Sequence, residues 1–110
     1  MKDRTPWRQE SLSELSRVVS ALDDPELVSD FLVDLCTPAE LEALTDRWAV
    51  VPLLDEGLSY RAIHDRTGVS VTTIGRVARC LEYGSGYRAA LQRHRAGRHP
   101  DSVVIAGPTP

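Results

Sequence analysis

Four polar side chains, Thr72, Thr73, Arg76 and Arg79, are spaced along residues 71–81 so as to lie largely on one side of a helix, away from Ile74, Val77 and Leu81. Hydroxyl and guanidinium groups set out this way can bond phosphate oxygens and base edges, and a guanidinium offers two parallel donors to guanine. Residues 59–81 also contain what is needed to hold such a helix proud of a surface. A short helix is expected from Tyr60 to about Thr67, started by Ser59, with Ile63 and Thr67 inward; Gly68 makes the turn, Val69 is buried, and Ser70 caps the second helix. This is the pattern of a helix-turn-helix. Helical hairpins with a glycine turn also serve as plain packing units, and arginine-rich faces are often merely solvated, so the distribution of charge has to be weighed.

The 110-residue chain has 13 Lys+Arg and 16 Asp+Glu, a formal charge of −3 that argues against a nucleic-acid partner. Resolved along the chain, the sum says the opposite. Residues 1–58 hold five basic and thirteen acidic side chains, a balance of −8, whereas residues 59–99 hold eight basic and two acidic, a balance of +6, and Asp101 completes the total. The positive part coincides with the candidate reading helix and the helix after it, where the local field suits phosphate.

Other chemistry finds little support. His64, His94 and His99 lack a matching nucleophile or metal-ligand spacing, and Asp23-Asp24 and Asp55-Glu56 read as solvated helix ends, so no enzyme, cofactor or metal site is expected. Cys36 and Cys80 have neither CxxC nor Cys/His spacing and are expected to be buried free thiols. No segment approaches the roughly 18 apolar residues of a membrane span, and Met1 to Pro6 lacks the apolar run of a signal peptide, which points to the cytoplasm.

The elements that must position residues 59–81 are helical throughout, because apolar residues recur at three-to-four spacing and no long alternating run suggests a strand. The fold class is therefore all-α. Leu12, Leu15, Val18, Val19 and Leu22 form one stripe, ended at Asp23-Asp24-Pro25; Leu27, Val28, Phe31, Leu32 and Leu35 form the next. Thr37-Pro38-Ala39-Glu40 predicts a capping box with proline at the first helical position. The third helix carries Leu41, Leu44, Trp48, Val51 and Leu54 to Gly57, the expected left-handed residue beyond its end, with a kink caused by Pro52 expected near residues 48–52. A last helix is expected around Tyr87 to Arg95. Residues 1–95 read as one helical domain and 96–110 as a flexible tail.

With these elements in place, Leu35-Cys36-Thr37-Pro38-Ala39-Glu40, Leu44, Arg47, Gly57, Ser59, Gly68, Thr73-Ile74-Gly75-Arg76 and Leu81 resemble the Trp repressor superfamily. The run from Arg76 to Gly84 is more similar to its YerC/YecD-like branch. The resemblance covers about residues 27–93 and implies a bacterial Trp-repressor-like helical bundle that forms an intertwined homodimer and binds double-stranded DNA with one recognition helix per half-site. The two amphipathic N-terminal helices agree with that, since a partner buries their stripes more readily than so small a chain can.

Carried over by position, the resemblance gives Tyr60, Arg61, His64, Ser70, Val71, Thr72, Gly75 and Arg76 as DNA-facing, joined by Arg79 from the helical pattern. Arg61, Arg76 and Arg79 would neutralise phosphate or read guanine, Thr72 would bond a base or touch a thymine methyl, Val71 would offer apolar contact, and His64 would approach a phosphate. It also gives Thr37, Arg47 and Arg76 as matches to the family's tryptophan-binding residues. Two positions of that pocket differ. Val77 stands where the repressor has glycine and would fill the space of the indole, and Cys80 replaces a serine, so no response to tryptophan is expected; another small-molecule effector stays open. The implied function is a DNA-binding transcriptional regulator, a repressor that excludes polymerase, and the alternative is a helical dimeric protein-interaction module without DNA specificity.

Overall fold

The structure, a computed structural model, describes residues 7–97. Six helices occur among them and no strand: α1 (Gln9–Ala21), α2 (Pro25–Leu35), α3 (Pro38–Asp55), α4 (Tyr60–Thr67), α5 (Val71–Tyr83) and α6 (Gly86–Gly97). The all-α expectation holds. The described residues divide into two compact units, one up to Leu41 and one from Glu42 onward, the division falling after the first turn of α3.

In the first unit α1 and α2 are joined by Leu22, Asp23 and Asp24, and Asp24 accepts the Glu26 amide through its carboxylate while Pro25 opens α2. Neither helix contains a buried residue. Their predicted stripes exist, yet Leu12, Leu15, Val18, Leu27 and Leu35 remain exposed. The expected capping box is formed: Thr37 Oγ1 accepts the Glu40 amide at 3.1 Å, and Glu40 Oε1 accepts the Thr37 amide at 2.8 Å. These two bonds satisfy donors that helix geometry would leave open at the start of α3.

The second unit holds the core. Val50 and Val51 from α3, Ile63 from α4, Val69 from the turn, Ile74, Val77 and Leu81 from α5, and Leu91 from α6 are buried together, with Trp48, Leu53, Leu54, Leu58 and Tyr87 packed around them. Burying each large aliphatic side chain contributes about 1.5–3 kcal/mol, so the core is concentrated on the helices that frame α5. Helix α3 runs through Pro52, and Gly57 follows with φ 91, the left-handed conformation expected there. Gly84 ends α5 at a place reserved for glycine, since a Cβ would lie 2.8 Å from the Cys80 carbonyl oxygen. Helix α6 extends to Gly97, two residues beyond the predicted domain limit; the rest of the expected tail lies outside the described residues.

The cysteines correct the sequence reading. Cys80 is exposed and Cys36 only half-buried. Three residues place Cys80 about 60° around the helix from Val77, on the side away from Ile74 and Leu81, which takes it off the buried stripe.

Candidate nucleic-acid interface

The geometry of residues 59–83 begins with two serine caps. Ser59 Oγ accepts the Ala62 amide at 3.1 Å and starts α4; Ser70 Oγ accepts the Thr73 amide at 3.1 Å and starts α5. Between them Gly68 closes α4 in the left-handed conformation, φ 79, with its amide on the His64 carbonyl at 2.8 Å. Side chains of α4 then fasten the turn. Thr67 Oγ1 donates to the Ile63 carbonyl at 2.7 Å and accepts the Val69 amide at 3.1 Å, while His64 Nδ1 lies 2.8 Å from the Val69 carbonyl. A carbonyl oxygen can only accept, so Nδ1 carries the proton.

This turn presents α5 with one face fixed and one face free. Ile74, Val77 and Leu81 enter the core, whereas Thr72, Arg76, Arg79 and Tyr83 follow the opposite side of the helix and are exposed. Val71, at the first position of α5, is 52% exposed, an apolar side chain on the rim of that polar face. Gly75 is half-buried, and a Cβ there would meet only the Tyr60 ring, at 3.7 Å. Tyr60 and Arg61 are exposed at the start of α4 beside it.

The predicted DNA-facing set is thus on adjoining helices, but not all of it is free. Ser70 spends its hydroxyl on the cap and on a bond to Thr73 Oγ1 at 3.1 Å, and the His64 ring is tied to Val69. Of the basic residues, Arg88 Nη2 donates to the Leu81 carbonyl at 3.0 Å and Arg95 Nη1 pairs with Asp55 at 2.7 Å, so these two fasten α6. Arg61, Arg66, Arg76, Arg79 and Arg93 make no ion pair among the described residues and are exposed. Sequence reasoning missed the fastening roles of Thr67, Arg88 and Arg95. For Thr67 a signal existed, since a threonine at a helix end commonly bonds back to the carbonyl four residues earlier.

The residues matched to a tryptophan pocket fall in both units. Thr37 is in the first unit and its hydroxyl accepts the Glu40 amide; Arg47, half-buried, and Arg76 are in the second. Val77 is 1% exposed and packed in the core. Its side chain already occupies the space on that face of α5. Among the described residues no group of three His, Cys, Asp or Glu side chains could hold a metal ion, and no helix is long and apolar enough to cross a membrane.

Comparison with known proteins agrees with this geometry. The chain is 41% identical over 87 residues to the uncharacterized protein YerC of Bacillus subtilis (strain 168), covering 78% of this chain and 84% of that one. It is similar to the crystal structure of a candidate Trp repressor from Staphylococcus aureus, with TM-score 0.74 and 34% identity over 80% of this chain and 89% of that one. It is also similar to a TrpR like protein from Eubacterium eligens ATCC 27750, with TM-score 0.72 and 34% identity over 78% and 90% of the two chains. The family model for the Trp repressor protein matches residues 10–95, the whole span from α1 to the end of the predicted domain, and this chain belongs to that family.

Proposed function

We propose that this protein is a sequence-specific DNA-binding transcriptional regulator of the bacterial cytoplasm, a repressor that acts as a homodimer by inserting α5 of each protomer into the major groove. Family membership supports a DNA-binding regulator in general terms. The observation that carries the finer reading is the outer face of α5, where Thr72, Arg76 and Arg79 are exposed without an ion pair on a helix whose other face is locked into the core. Tyr60, Arg61, Val71 and Gly75 border that face, and Ser70 holds the N-terminus of the helix. Guanidinium groups left unpaired at a recognition helix are available to phosphate and to guanine.

The homodimer rests on the first unit. Leu27 is 49% exposed and Leu35 50%, and neither α1 nor α2 buries a residue. A second copy supplies a matching apolar face by symmetry and pairs two recognition helices, as two-fold operators require. Tryptophan has no role in this reading, which is supported by a buried, β-branched Val77 at the position where the family's pocket has glycine.

Selection of genomic DNA fragments across a salt series tests the proposal. Retention of fragments with paired half-sites, weakening steeply as salt rises, is expected. Absence of retained DNA at low salt would sink it and favour a helical interaction module whose basic face meets an acidic protein.

A further inference from the structure

We propose that His64 is a positioning residue which clasps the turn and aims α5, and that it is not a phosphate contact. The inference rests on the DNA-binding reading above and concerns how the same interface is held. Its basis is that both backbone groups of Val69 are held by side chains of α4. Thr67 Oγ1 takes the Val69 N–H at 3.1 Å, His64 Nδ1–H takes its carbonyl at 2.8 Å, and the Val69 side chain is itself buried.

Val69 lies between the end of α4 at Gly68 and the cap of α5 at Ser70. Its carbonyl has no helical partner, because the Thr73 amide, which a continuing helix would direct to it, is taken by Ser70 Oγ. Leaving a part-buried carbonyl unpaired is costly, and His64 is the group that satisfies it. Fixing Val69 at its amide, carbonyl and side chain fixes its two dihedrals, and these set the direction in which α5 leaves α4. The ring cannot offer the same nitrogen to a phosphate. Nδ1 points into the turn, and only Nε2 remains toward solvent on this exposed residue.

The two ring nitrogens can be separated by substitution. In His64→Asn the amide nitrogen takes the place of Nδ1 and keeps the clasp; in His64→Gln it takes the place of Nε2 and leaves the Val69 carbonyl unmet. The expected result is DNA affinity near wild type for His64→Asn and about tenfold weaker for His64→Gln, as loss of one such bond implies. Both should keep the wild-type salt slope, because no phosphate contact is removed. Amide exchange at Thr73 and Ile74 should quicken in His64→Gln and stay at the wild-type rate in His64→Asn.

The opposite order, with His64→Gln normal and His64→Asn weakened and less salt-dependent, would overturn the proposal in favour of a phosphate contact. Equal behaviour of the two variants would also overturn it, since rescue by asparagine is what a clasp through Nδ1 requires. If wild-type protein retains no DNA at all, the regulator reading fails, and the exchange rates alone still decide the clasp.

Discussion

Gly75→Ala separates what the chain needs for itself from what it needs for a partner. In mid-helix, glycine is worse than alanine by about 0.8–1 kcal/mol, and Gly75 is not in a left-handed conformation that would justify it. Nor is it required by packing, since an added Cβ meets only the Tyr60 Cε2 atom at 3.7 Å, an ordinary contact. The substitution should therefore stabilise the protein by about 1 kcal/mol, raising the thermal midpoint by roughly 4–6 °C for a domain near this size. Circular dichroism at fixed protein concentration measures this, the concentration being held so that any self-association contributes equally. DNA affinity should move the other way, by about 1–3 kcal/mol, if the bare backbone at residue 75 is the surface that DNA approaches. A midpoint that stays or falls would refute the packing argument, and a raised midpoint with unchanged affinity would refute the close approach.

Other expectations follow from individual contacts. Arg76→Ala should weaken operator binding by about 1–3 kcal/mol if the guanidinium makes a bidentate base contact, as titration with labelled operator would measure. Arg95→Ala should leave the salt slope of DNA binding unchanged and cost no more than about 1 kcal/mol in denaturant unfolding, because Arg95 is paired with Asp55 in a half-exposed ion pair. Thr37→Ala removes one arm of the capping box and should lower stability by about 1 kcal/mol in the same assay. Calorimetry with tryptophan should give no micromolar binding, and binding that tightened operator affinity would contradict the role assigned to buried Val77.

The segment from Ser59 to Leu81 was legible because its signals are local. A serine before a helix, a glycine in a left-handed turn and a Thr-x-x-Glu box act within four residues, and Ser59, Ser70, Gly57, Gly68 and the Thr37–Glu40 pair all behave as their types dictate. The apolar stripes of α1 and α2 were also legible, but periodicity says that a face is apolar and not what covers it, and this chain half-buries Val19, Leu22, Val28, Phe31 and Leu32 while leaving Leu12, Leu15, Val18, Leu27 and Leu35 exposed. The exposure of Cys80 is not legible from its apolar neighbours in sequence, because its angular position on α5 decides burial. The roles of Arg88 and Arg95 were hidden by distance along the chain. Their partners, Leu81 and Asp55, are seven and forty residues away.

That last point changes the meaning of the +6 balance of residues 59–99. Two of its arginines hold α6, one against the Leu81 carbonyl near the end of α5 and one against Asp55. Arg61, Arg76 and Arg79 are the unpaired cations on α4 and α5 themselves, together with Arg66. On α5 the division is by angle: every residue that the core needs lies on the Ile74, Val77 and Leu81 side, and Thr72, Arg76 and Arg79 lie on the other. Substitutions on the outer face therefore leave intact the core that holds α5, whereas truncation at Ile63, Ile74 or Val77 opens a cavity at a fully buried site and loosens the packing of α4 and α5.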